Sequence, residues 1–266
     1  MLFSIQDCRR RTLFPPASEL FLMTFSVRKD QMKENRTSTA KNRTAARIFF
    51  YVAGICILAL GLTLSTKTKL GASPIIAVAF CISELSGIEL GDATFFLYSF
   101  FILVQIALHL LPGKRTPSDK KKAVVMDILQ LPFSIFFTRL LNLYAAVIPA
   151  PQTLAARILV LVLAVILIGI GAAFTLDMRL VVSPGDGIVQ AVSDRSGLEL
   201  GLTKNIVDVC CVLATCALSL AFTRHIIGIG IGTLAGMLGT GRVIALFNRQ
   251  FGSYLIPLGK PSSNHP

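Results

Sequence analysis

The chain has 266 residues, of which 53% are hydrophobic and only 15% charged, and it carries a formal net charge of +12. A soluble domain needs about a quarter of its residues charged to coat its surface, so that class is excluded and a multi-pass membrane protein is implied. Ten Lys/Arg lie in residues 1–47 and five more (Lys114, Arg115, Lys120, Lys121, Lys122) crowd one loop; this is the bias of cytoplasmic loops rather than a nucleic-acid surface.

Residues 1–46 are polar, basic and without periodicity, and read as a disordered cytoplasmic tail. Its apolar patch, Leu20 to Phe25, is too short for a signal peptide. Met23 or Met32 is a candidate for the true start. Six apolar stretches are long enough to span a bilayer core: 48–66, 93–111, 124–148, 158–176, 202–222 and 226–247. Two more, 74–86 and 184–196, are short, and the second holds Asp186, Gln190, Asp194 and Arg195. The cysteines in the apolar stretches form no C-x-x-C and have no histidine at ligand spacing, so they are read as packing residues, and no metal or cofactor is implied.

The short stretches belong to a repeat. Ser73-Pro74 through Gly91 returns 110 positions later as Ser183-Pro184 through Gly201, and both copies close on S-G-hydrophobic-E-L-G. Without a gap, residues 47–108 match 157–218 at 16 of 62 positions, six of them between 83 and 91. The last helices match at an offset of 103, Asp127 to Leu131 against Gly230 to Leu234 and Arg139 against Arg242. The expected organisation is therefore a tail (1–46), membrane repeat 1 (47–148), a linker (149–156), membrane repeat 2 (157–248) and a short cytoplasmic tail (249–266).

Charge selects the topology. If 74–86 and 184–196 dip in and return, the basic tail, the 112–123 loop, Arg179, Arg195, Arg249 and Lys260 all face the cytoplasm. Lys67, Lys69, Arg157 and Arg224 remain outside. The expected fold is all-α, with six spanning helices plus two short re-entrant helices built as two inverted repeats, in the plasma membrane with both termini cytoplasmic. Ser-Pro is a helix-start signal, Ser as N-cap and Pro at the first helical position. Two such half-helices entering from opposite faces would aim free N–H groups at the midplane. The competing reading is a surface turn before an interfacial helix.

Four further features bear on function. Asp127, Gln130, Ser134 and Thr138 share one helical face. Arg139 and Arg242 form a pseudo-symmetric pair that either faces a cavity or snorkels to headgroups. Asp208 stands one turn after Lys204, and Gly228, Gly232 and Gly236 make a small-xxx-small packing surface. Glu89 and Glu199, repeated in E-L-G, would lie on opposite faces and could not act together. No nucleophile–base pair is visible among the scattered His109, His225 and His265, so an enzyme is not expected.

L-G-x-S-P before a helix, S-G-I-E-L-G before a span, and G-I-G-T-L with a following Gly-x-Arg resemble the YczE/YyaS/YitT group of bacterial integral membrane proteins, the YczE branch in particular. The likeness covers residues 47–248. Ile75-Ile76 stand where the group has an aromatic and an Asp; the second half keeps Asp186. The leading expectation is a secondary transporter, an exporter of a small solute with anions among the candidates, working by alternating access. Ser73, Pro74, Ser183, Pro184, Asp186, Gln130, Arg139, Thr233 and Arg242 are the candidate solute-binding residues, and Asp127 and Asp208 the candidates for ion coupling. Its expected partners are the bilayer, the solute and a second copy through the Gly228-Gly232-Gly236 face. The alternative is a non-transporting scaffold or accessory subunit of a membrane assembly.

Overall fold

The computed structural model describes residues 44–111 and 117–259, and the compact unit Arg47–His265 holds all the contacts discussed below. Residues 1–43 of the expected tail and 112–116 of the basic loop lie outside the described residues, while 44–46, expected in the tail, already belong to the first helix. The described residues form eight helices and no strand: α1 (Thr44–Lys67), α2 (Pro74–Ser86), α3 (Leu90–Leu110), α4 (Pro117–Val147), α5 (Leu154–Met178), α6 (Pro184–Ser196), α7 (Leu200–Thr223) and α8 (Ile231–Gly259). Six of them (α1, α3, α4, α5, α7 and α8) contain stretches long and apolar enough to cross a bilayer. Large side chains such as Phe96, Leu103, Leu159, Leu213 and Phe222 stand exposed along them. An apolar surface of that extent needs lipid around it.

The two short helices begin and end alike. Ser73 and Ser183 precede them in the same extended conformation (φ −61, ψ 149 and φ −62, ψ 146), with proline next. Gly87 and Gly197 end them in the left-handed region at φ 73, where a side chain is disfavoured. In each copy a serine hydroxyl then ties the following turn, Ser83 to the Ile88 carbonyl and Ser193 to the Leu198 carbonyl, both at 2.7 Å. Lys69 and Arg179, also 110 apart, turn the chain after α1 and α5 at positive φ.

The long helices pack through glycines. A Cβ built on Gly54 would lie 2.7 Å from the Phe174 Cβ, and one on Gly61 would lie 2.8 Å from the Ile168 nitrogen. As α1 advances from 54 to 61, its contacts on α5 retreat from 174 to 168, so these helices run antiparallel. Arg47 and Tyr51 at the start of α1 accordingly donate to the Met178 and Val181 carbonyls at the end of α5 and just beyond it. The short helices exchange neighbours: α2 packs on α7 and α6 on α3. Their first turns meet, with Ile75 Cδ1 3.1 Å from a Cβ placed on Gly185.

Several boundaries differ from the sequence expectation. α8 starts at Ile231 rather than 226, because 226–230 serves as a strap: the Ala72 nitrogen donates to the Gly228 carbonyl (2.9 Å) and the Gly232 nitrogen to the Leu70 carbonyl (2.8 Å). It also runs on to Gly259, through part of the expected tail. α4 starts at Pro117 rather than 124, since Pro and an early Asp119 are favourable at a helix start even among lysines. The Gly228-Gly232-Gly236 face is filled from within: Gly228 lies on Phe80, Gly232 against the Gly71 carbonyl and Gly236 against Ser73. It serves tight internal packing and is not open to a second copy.

Candidate functional site

The C-terminal part of α3 and the N-terminal half of α4 meet through two polar layers. Nearer the helix ends, His109 Nδ1 and Asp127 Oδ2 are 2.7 Å apart, with side chains only 11% and 4% exposed. One turn deeper, Gln105 and Gln130 exchange amide hydrogen bonds at 2.9 and 3.3 Å, and Gln105 also donates to the Pro184 carbonyl at 3.2 Å. These glutamines lie over Gly187, where a Cβ would strike the Gln105 side-chain oxygen Oε1. Glycine is what lets α6 approach so closely. Beyond the amides comes an apolar layer, Phe133 and Phe137 stacked 5.7 Å apart with Tyr98 on Phe137 and Tyr51 on Phe133.

This layered wall lines a cavity of about 370 Å³, bounded by Gln105, His109, Asp127 and Gln130 on one side and Arg179, Ser183, Asp186, Gln190 and Asp194 on the other. That volume suits a small molecule. Asp186 occupies the first turn of α6: the Ser183 hydroxyl donates to its carboxylate at 2.9 Å, while its own backbone nitrogen donates back to that hydroxyl at 3.2 Å. Lys204 of α7 stands 3.7 Å from the same carboxylate. The positive end of α6 is thus already answered by a carboxylate of its own helix. Among the described residues, three carboxylates (Asp127, Asp186 and Asp194) and one guanidinium (Arg179) line the cavity.

A second cavity, of about 320 Å³, contains Thr66, Lys69, Gly71, Ala72, Phe80 and Glu84 together with the 225–229 strap. Those six positions plus 110 are Leu176, Arg179, Val181, Val182, Gln190 and Asp194, all of which line the first cavity. Since α1 and α5 are antiparallel and each cavity sits at the C-terminal end of one of them, the two cavities lie at opposite ends of that pair.

The model of a family of unknown function, DUF6198, matches residues 45–249. The chain belongs to that family. It is also 24% identical, over 207 residues, to the uncharacterized membrane protein YczE of Bacillus subtilis (strain 168), covering 77% of this chain and 86% of that one. No solved structure matches. The family match begins within α1 and ends within α8, so it takes in both cavities but not the N-terminal tail.

Within this family fold the site residues expected from sequence divide into groups. Gln130, Asp127, Ser183 and Asp186 come together in the first cavity, and Pro184 joins them through its carbonyl. Ser73 and Thr233 are placed elsewhere: the Gly230 nitrogen donates to the Thr233 hydroxyl at 3.2 Å, and Ser73 lies against Gly236. Pro74 is buried at the start of α2. Asp208 is buried on α7 and lies outside the cavity lining. Arg139 and Arg242 do not face the cavity. Arg139 is 71% exposed and reaches Asp92 at 3.4 Å, and Arg242 is exposed on α8.

Sequence reasoning missed Gln105 and His109. They are four apart on α3 and face the Asp127–Gln130 stripe; the spacing is visible in the sequence, but which helix packs opposite it is not.

Proposed function

We propose that this protein is a secondary transporter of a small polar solute, built from two inverted halves, α1–α4 and α5–α8, around the meeting point of α2 and α6. The observation that carries this reading is the pair of cavities made from matching positions at opposite ends of the α1–α5 pair. Alternating access requires such a pair of vestibules with one barrier between them. Here the barrier is the Gln105–Gln130 layer, the aromatic layer behind it and the first turns of α2 and α6. α2 and α6 act as re-entrant elements, and the first cavity faces the cytoplasm with the basic loop.

The lining argues about the solute. Helix N-termini alone favour anions, but Asp186 already occupies that position on α6, and Asp127 and Asp194 add further negative charge. A small cationic or donor-rich solute fits this cavity better than an anion. Purified protein in liposomes tests this with labelled 1,4-diaminobutane and tetramethylammonium against glycolate and phosphate. Saturable uptake of a cation, reduced at least tenfold by Asp186→Asn, is the expected result. Vesicles that accumulate none of these probes above protein-free controls would instead favour an accessory subunit.

A further inference from the structure

We propose that His109 and Asp127 form a proton-binding site, and that a cation entering the cavity displaces its proton, so that the protein exchanges protons for cations. The inference rests on the transport reading and names its coupling ion.

The placement is the first argument. The pair lines the cavity beside the amides and is almost fully withdrawn from solvent, yet its cavity side lets a proton leave. Imidazole is the side chain whose ordinary titration falls between about pH 5 and 8. Ionisable groups on membrane helices are costly to bury and mark ion paths.

The second argument is asymmetry. At the positions matching His109 and Gln105, α7 carries Ser219 and Thr215, and the positions matching Asp127 and Gln130 are Gly230, at the end of the strap, and Thr233 on α8. Ser219 still ties its surroundings, lying 3.2 Å from the Cys81 sulfur and accepting from the Ile227 nitrogen at 3.2 Å. Ser219 thus ties α7 to α2 and to the strap, whereas α3 and α4 pack directly on each other. The His109–Asp127 pair therefore has no counterpart at the matching positions, and it stands where the carboxylate-lined cavity is.

The exchange follows from charge. Among the described residues, the other charged groups lining the cavity are Arg179 before α6, and Asp186 and Asp194 on α6; α5 contributes Thr175 and Leu176, and Lys120 of α4 donates to the Leu110 and Leu111 carbonyls just beyond His109. Lys204 reaches in from α7 as far as Asp186. With Asp127 holding Nδ1, the imidazolium loses the proton on Nε2 to water. The N–H electron pair stays on nitrogen, and the cavity becomes one unit more negative. An incoming ammonium group restores that unit, so proton and cation bind in competition.

Calorimetry of 1,4-diaminobutane binding to the purified protein near pH 6.5, in two buffers of different ionisation enthalpy, counts the protons released per cation bound. Wild type should release a measurable fraction of a proton per diamine bound. His109→Gln and Asp127→Asn, each checked for an unaltered elution profile and titrated with enough diamine to saturate, should release at least fivefold fewer protons per diamine bound. Binding without release, or release undiminished in both variants, would overturn proton coupling and leave the transport reading standing. No diamine binding at all would overturn the cation-transport reading and this proposal with it.

Discussion

Gly187→Ala tests how closely the cavity wall is built. A methyl group there meets the Gln105 side-chain oxygen Oε1, the Gln130 nitrogen at 2.8 Å and the Gln105 Cδ at 3.1 Å. The amides must part, breaking the reciprocal pair and the Gln105–Pro184 bond, three neutral hydrogen bonds at about 1 kcal/mol each. Alanine recovers about 0.5–1 kcal/mol of helix propensity, leaving a net destabilisation of about 2 kcal/mol. That corresponds to a Tm lower by roughly 4–8 °C, readable by thermal unfolding in detergent. Gly201→Ala is the control, also helical but with nothing within 4 Å of the new methyl. In a Gln105→Ala background, which removes the obstructing amide, the Gly187→Ala cost should shrink by more than half. Equal stability of Gly187→Ala and Gly201→Ala would refute the argument that the amide pair rests on α6.

Three further outcomes are expected. Gly171→Leu should be far more damaging, because even a Cβ there lies 2.5 Å from the Leu58 nitrogen and 2.8 Å from the Gly54 carbonyl; the loss of α1–α5 packing should appear as little or no folded protein on gel filtration. Arg139→Gln should leave stability within about 0.5 kcal/mol, since an exposed pair at 3.4 Å contributes little, and should leave cation uptake in vesicles unchanged. Gly197→Ala should lower thermal stability by an amount equivalent to about 1 kcal/mol although nothing crowds it, because its φ of 73 is unfavourable for a side chain.

Element positions were legible wherever a local signal stood in the chain. Pro74–Ser86 and Pro184–Ser196 are helices with the bounds expected from Ser-Pro and Ser-Gly, because caps act within one turn. The start of α8 was not legible, since the Gly228 carbonyl accepts from the Ala72 nitrogen and the Gly232 nitrogen, in the first turn of α8, donates to the Leu70 carbonyl, contacts more than 150 residues apart. The polar stripe on α4 reads directly from its spacing, and Asp127, Gln130, Ser134 and Thr138 are all buried. Its partners on α3 depend on which helix packs opposite, which periodicity does not state. For the same reason the arginines misled: depth along a helix is visible in sequence, but the direction in which a side chain leaves it is not.

The central claim is that the two matching cavities open to opposite sides of the membrane. Glu89 and Glu199, the exposed N-cap residues that precede α3 and α7, report on it directly. Single cysteines at these two positions and at Lys120, with the native cysteines replaced, can be labelled in intact cells by a membrane-impermeant thiol reagent. The account predicts labelling from outside at 89, and at 199 and 120 only after the membrane is opened. Labelling of 89 and 199 from the same side would contradict the inverted arrangement and remove the basis for alternating access.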